Sequence, residues 1–140
     1  MGQSAVCWLR QSSSQEHSMR NIKLLLQRWG AWASSGERRL GYASVASGFR
    51  GLITHHGGNR LQCSDGDGII LDSCISRLAM ESKEQHDILV AHYLYLISLR
   101  SIARRRRCAD GTIRKKLQTA EGFVCGVLTA LECELECENT

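Results

Sequence analysis

Between Ser98 and Gln118 the chain concentrates side chains suited to gripping phosphate and reading base edges. Four consecutive arginines, Arg104, Arg105, Arg106 and Arg107, are followed by Thr112, Arg114, Lys115, Lys116 and Gln118. A guanidinium presents a rigid fork of donors to phosphate or to a guanine edge, and a glutamine amide matches adenine. The stretch holds eight of the 18 Lys and Arg residues but one of the 14 Asp and Glu, so it carries +7 and the rest of the chain −3. A solvated helix face normally interleaves acids among its bases. A basic patch on a near-neutral body is instead the electrostatic footprint of a polyanion partner.

Two other groups of residues bear chemistry. Asp65 and Asp67, with His55 and His56 nearby, can be pictured as a metal or hydrolytic site. They fall in a glycine-rich loop at an expected helix start, where aspartates commonly serve as caps. Gly66-x-Gly68 precedes a helix but follows no strand, which fails the context a phosphate-cradling loop requires. With no nucleophile motif either, the reading is of a protein that is not an enzyme and needs no cofactor. The seven cysteines are odd in number, never spaced C-x-x-C, and accompanied by no export signal, so reduced thiols are expected. Cys133 and Cys137, one helical turn apart, could ligate a metal together with Cys125 or a histidine. Structural zinc sites normally show tighter pairs, and no metal is expected.

The elements that must position the basic stretch read as helices throughout. The chain has 140 residues and no proline, so helices must stop at glycines or caps. No stretch alternates cleanly as a strand does, and none approaches a membrane span. The class is all-α: a compact helical domain over residues 19–138, preceded by a disordered, serine-rich extension over 1–18. Met19 looks like a second possible start. A cytoplasmic location is the default.

Ile22, Leu25, Leu26 and Trp29 mark a first helix capped by Ser18 and ending near Ala33–Gly36. A short helix is expected over Tyr42–Phe49, facing inward through Val45 and Phe49, followed by a loop from Gly51 to Gly68. Ser64 should cap a helix over about Asp67–Met80, buried through Leu71, Cys74, Ile75 and Leu78. Another helix should cover Lys83–Leu96, with Ile88, Leu89, His92, Tyr93 and Leu96 along one side.

The basic stretch then resolves into two helices. Ser98 caps Leu99–Arg106, with Leu99, Ile102 and Ala103 inward. Asp110 caps a second helix held on the body by Ile113, Leu117, Ala120, Val124, Leu128 and Leu131. Two helices joined by a three-residue turn, the second opening with polar and basic residues, is the layout of a DNA-reading helix-turn-helix over 98–122. Thr112, Arg114, Lys115 and Gln118 then point toward base edges, and Arg104–Arg107 toward phosphates.

Ser98-Leu99-Arg100-Ser101-Ile102-Ala103 followed by Asp110-Gly111-Thr112-Ile113-Arg114-Lys115-Lys116-Leu117-Gln118-Thr119-Ala120 resembles the promoter-binding helix-turn-helix of bacterial sigma factors. From Met19 to about Glu132 the chain is similar to the antitermination protein Q family of lambdoid bacteriophages and prophages. The matching stretches are Leu26-Gln27-Arg28-Trp29-Gly30-Ala31-Trp32-Ala33, Gln62-Cys63-Ser64-Asp65, Ala91-His92-Tyr93 and Leu117-Gln118-Thr119-Ala120-Glu121-Gly122. The resemblance implies binding of double-stranded DNA at a phage late promoter and loading onto RNA polymerase holoenzyme, with contact to its β-subunit flap, so that terminators are read through. It departs at Arg106 and Arg107, where sigma factors place an apolar residue and a glycine, and it shows no zinc-binding cysteine cluster of the kind some antitermination proteins carry. A polymerase surface should lie apart from 98–118. The aromatic-containing first helix and the loop over Gly51–Asp67 are the candidate regions, and Arg50, His55, His56 and Arg60, expected to be exposed, the candidate residues. The competing expectation is a repressor or activator that only occupies an operator.

Overall fold

The computed structural model describes residues 20–54, 60–131 and 135. Among these described residues six α-helices follow in order: α1 (Ile22–Ala33), α2 (Ala43–Gly48), α3 (Asp65–Glu81), α4 (Lys83–Tyr93), α5 (Leu99–Arg106) and α6 (Asp110–Ala130). No strand occurs among the described residues. The expected extension over 1–18 and the alternative start at Met19 lie outside them, as do His55, His56, Cys133 and Cys137.

Local chemistry sets the helix ends. Asn21, not Ser18, caps α1: its Oδ1 accepts the Leu24 N–H at 3.2 Å. A 3-10 helix over Gly36–Tyr42 then bridges to α2, a stretch with no apolar period to announce it. Ser64 Oγ accepts the Asp67 N–H at 3.2 Å as its spacing predicts, although α3 starts two residues before the expected Asp67. Ser82 both ends α3 and caps α4, accepting the Gln85 N–H at 3.3 Å. The side-chain oxygen of such a cap stands in for the backbone acceptor that a first-turn N–H lacks.

The core forms where the apolar stripes meet. Leu25, Leu26 and Trp29 of α1, Leu71, Cys74, Ile75 and Leu78 of α3, and Ile88 and Leu89 of α4 are buried, as are Val45 and Phe49. The long α6 packs against α4, α3, α5 and α1. Each fully buried Leu, Ile or Phe contributes roughly 1.5–3 kcal/mol. Leu96 and Leu131 depart from the expected stripes. α4 stops at Tyr93, Leu96 takes a left-handed backbone conformation at φ 58°, and both leucines are exposed.

Tight contacts tie α1 to the rest. A Cβ on Gly30 would stand 2.0 Å from the Tyr93 carbonyl oxygen, and one on Gly68 2.3 Å from the Trp32 ring. The indole N–H of Trp32 donates to Asp65 Oδ1 at 2.8 Å, and that of Trp29 to Asp72 Oδ1 at 3.3 Å. The Tyr42 hydroxyl also donates to Asp72. Asp65, pictured earlier as a possible metal or hydrolytic carboxylate, therefore closes an α1–α3 contact. No helix of the described residues is long and apolar enough to cross a membrane.

Candidate nucleic-acid interface

The α5–α6 unit begins with Ser98, whose Oγ accepts the Ser101 N–H at 3.1 Å. α5 buries Ile102 and Ala103 against α6, while Leu99 is half-buried. The chain then turns over Arg107, Cys108 and Ala109. Arg107 adopts φ 57° and ψ 49°, its N–H bonding the Arg104 carbonyl at 3.2 Å, while the Cys108 N–H reaches the Ala103 carbonyl at 3.0 Å. This pair of bonds is a Schellman ending, which satisfies carbonyls that the last helical turn leaves open. The glycine expected at such a turn is an arginine here, and the turn forms nonetheless. A left-handed conformation costs an ordinary L-residue about 1–2 kcal/mol. Arg107→Gly is therefore expected to hold or raise thermal stability, by up to about 1 kcal/mol, whereas β-branched Arg107→Val should lower it by about as much. Thermal melts followed by circular dichroism check both signs.

Ala109 occupies the cap position of α6 without a side-chain bond, and Asp110 is the first helical residue. The expected Asp110 cap is thus displaced by one position. Its carboxylate still sits in the first turn, where the helix dipole favours negative charge. From there Ile113, Leu117, Ala120, Val124 and Leu128 face the core.

Helical spacing leaves the other face outward: Thr112, Arg114, Lys115 and Gln118 are all exposed. Lys116 is set apart, its Nζ 2.6 Å from Glu84 Oε1. The four arginines also divide. Arg104 and Arg107 are exposed and have no acidic partner among the described residues. Arg106 lies 5.1 Å over the Phe49 ring and 4.0 Å from Asp87. Burial pushes the Asp87 carboxyl up, but the His86 ring at 3.0 Å and Lys83 at 3.5 Å outweigh it and hold the pKa below the usual value. Arg105 donates through Nη1 to the Gly48 carbonyl at 3.0 Å and through Nη2 to the Arg50 carbonyl at 2.7 Å.

A buried carboxylate anchors the far half of α6. Glu121, 4% exposed, accepts from Lys23 Nζ at 3.1 Å and from the Tyr93 hydroxyl, joining α1, α4 and α6 at one point. Burial and that bond push the Tyr93 hydroxyl well above the usual tyrosine range, so it stays a donor. The sequence does carry a signal for this residue. Glu121 lies four positions after Leu117 and three before Val124, on the apolar stripe, where an acid is out of place unless paired.

Arg60, expected to be exposed, is half-buried. Its guanidinium donates to the Tyr93 and Leu94 carbonyls at 2.8 and 3.4 Å, and desolvation lowers its pKa. It caps the end of α4. Arg50 is exposed, as expected. Cys63 and Cys74 are buried, and burial pushes the Cys63 thiol up to about 11, with nearby Asp67 adding to the shift. Among the described residues, no group of three or more His, Cys, Asp or Glu gathers as a metal site would require.

The family model for phage antitermination protein Q matches residues 19–136. The prophage antitermination protein Q homolog QuuD of Escherichia coli K12 is 42% identical over 118 residues, covering 84% of this chain and 93% of that protein. Antitermination protein Q of Escherichia phage 933W is 38% identical over 121 residues, covering 86% of this chain and 84% of its own. A probable antitermination protein Q of Acyrthosiphon pisum secondary endosymbiont phage 1 is 41% identical over 118 residues, covering 84% and 80%. No solved structure matches.

Proposed function

The chain belongs to the phage antitermination protein Q family, and from that membership we propose that it is a transcription antitermination factor loaded through promoter DNA by α5 and α6. One observation carries the DNA assignment. Arg104, Arg107, Arg114 and Lys115, none with an acidic partner among the described residues, are presented around a single turn whose two helices are both anchored in the core. In this reading α6 lies in the major groove of a phage late promoter, with Arg114, Lys115, Gln118 and Thr112 at base edges. Arg104, Arg107 and Arg106 grip phosphate, Arg106 the more weakly because Asp87 already shares it.

Once on DNA, the protein engages RNA polymerase holoenzyme at its β-subunit flap, in the bacterial cytoplasm. The polymerase contact falls to the segment over 51–60, through His55 and His56. Arg60 supports it from within, because its guanidinium is already held by backbone carbonyls. An operator-binding repressor or activator would use the same α5–α6 unit, but family membership favours the antiterminator.

Transcription with purified polymerase decides between the two. On a template joining the late promoter to a terminator, the protein should raise readthrough, and on a template lacking the promoter element it should not. Occupancy of promoter DNA with no change in readthrough would leave an operator binder. The Arg107→Gly variant, expected to be at least as stable as the parent, should bind the same DNA more weakly, with a salt dependence shallower by about 0.9 in log–log slope for one lost phosphate contact.

A further inference from the structure

We infer that Arg50 is a phosphate contact at the border of the basic surface, and that Arg105 is the positioning residue that holds it there. The inference rests on the DNA-binding reading above; the sequence alone places Arg105 among the phosphate contacts and Arg50 among the polymerase candidates.

The geometry starts from the end of α2. This short helix finishes at Gly48, where its last carbonyls have no partner within the helix. The guanidinium of Arg105 supplies one, forking across the Gly48 and Arg50 carbonyls at 3.0 and 2.7 Å. An arginine used as a two-pronged donor loses little further freedom and fixes both acceptors at once. Between them Phe49 is fully buried, with the Arg106 guanidinium 5.1 Å from its ring centre. Gly51 follows at φ 89°, a conformation that releases the chain sharply away from the turn.

Arg50 is therefore pinned by its own carbonyl, by the buried ring before it and by the glycine turn after it. Its side chain is exposed and meets no acid among the described residues. The clamp places the backbone of Arg50 within one arginine side chain of α5, the helix that also carries Arg104 and Arg107. Duplex DNA carries one charge per roughly 1.7 Å of axis, so a cation beside the turn meets backbone phosphate without entering a groove. Arg105 cannot serve equally well. To reach a phosphate it must first give up its two hydrogen bonds to the Gly48 and Arg50 carbonyls.

The test measures binding of the full chain to a short random-sequence duplex by fluorescence anisotropy across a salt series, which needs no knowledge of the cognate site. Parent protein, Arg50→Gln, Arg105→Gln and the double variant are compared, with melts to confirm folding. Arg50→Gln should make the log–log slope shallower by about 0.9, the value of one phosphate contact. Arg105→Gln should lose no more than that, and the double variant no more than Arg50→Gln alone. An unchanged slope in Arg50→Gln overturns the inference, as does a double variant whose losses add to about 1.8. If Arg105→Gln fails to fold, Arg50→Gln still decides the phosphate contact, since its side chain is exposed. Arg105→Lys, which keeps the charge but not the fork, then takes the place of Arg105→Gln, and a slope equal to the parent's in Arg105→Lys overturns the positioning role. A parent that does not bind duplex at all overturns the DNA reading itself, an outcome distinct from parent binding with an indifferent Arg50.

Discussion

Gly30→Ala is expected to destabilise the domain by about 3 kcal/mol, the upper part of the usual range for forcing a methyl into a packed interface. The new Cβ would meet the Tyr93 carbonyl oxygen at 2.0 Å and the Arg60 guanidinium at 2.9 Å. The first is backbone and cannot rotate away. The second is the group that caps α4 through that same carbonyl, at 2.8 Å. To admit the methyl, α1 must lift from α4 and Arg60 must release a helix end, so the clash and the lost cap act together. Such a loss is a large fraction of the 5–15 kcal/mol that holds a typical domain. Gly126→Ala serves as the control. Nothing lies within 4 Å of its position in the C-terminal part of α6, and alanine there should stabilise by roughly 0.5–1 kcal/mol. Urea unfolding of both variants checks the opposite signs. A Gly30→Ala midpoint equal to the parent's would mean that α1 and α4 do not approach as closely as described.

The second large effect falls on binding and leaves stability alone. Arg114→Ala and Lys115→Ala should each weaken affinity for the promoter element by about 1–3 kcal/mol, roughly 5- to 150-fold. Both side chains are exposed, so melting should change by no more than about 0.5 kcal/mol in stability. Lys116→Ala provides the internal comparison. Its Nζ lies 2.6 Å from Glu84, and its removal should cost DNA affinity much less than either neighbour. Equal losses at 114, 115 and 116 would indicate a diffuse charge effect in place of base reading.

How much of this was legible in the sequence depends on the distance over which each signal acts. The stripes of Leu71, Cys74, Ile75 and Leu78, and of Ile113, Leu117, Ala120, Val124 and Leu128, lie within single helices, and all these residues are buried. Ser64, Ser82 and Ser98 act three residues away, as caps do, although the sequence reading did not single out Ser82. Leu96 and Leu131 broke the rule because each helix stops before the apolar period does.

Long-range partners were not legible. The Leu26–Ala33 stretch carries much of the family resemblance, but nothing in it says that Gly30 faces a carbonyl 63 residues later or that the indole of Trp32 will find Asp65. The basic run shows the same limit. Arg104, Arg105, Arg106 and Arg107 look equivalent in sequence. They are separated only by what the fold places beside them: carbonyls of the 48–50 turn for Arg105, an aromatic ring and Asp87 for Arg106, solvent for the other two. Glu121 was the missed residue with the most local signal, an acid on an apolar stripe.

The central claim, that α5 and α6 load an antitermination factor through DNA, is tested most directly by readthrough with the Arg114→Ala/Lys115→Ala double variant. Purified polymerase would transcribe a late-promoter template past a terminator with parent or variant protein at equal concentration. Readthrough should rise with the parent and stay at the level without protein for the folded variant. It should return toward the parent's level only when the variant is raised enough to compensate its lost affinity. Full readthrough by the variant at the parent's concentration would contradict the account.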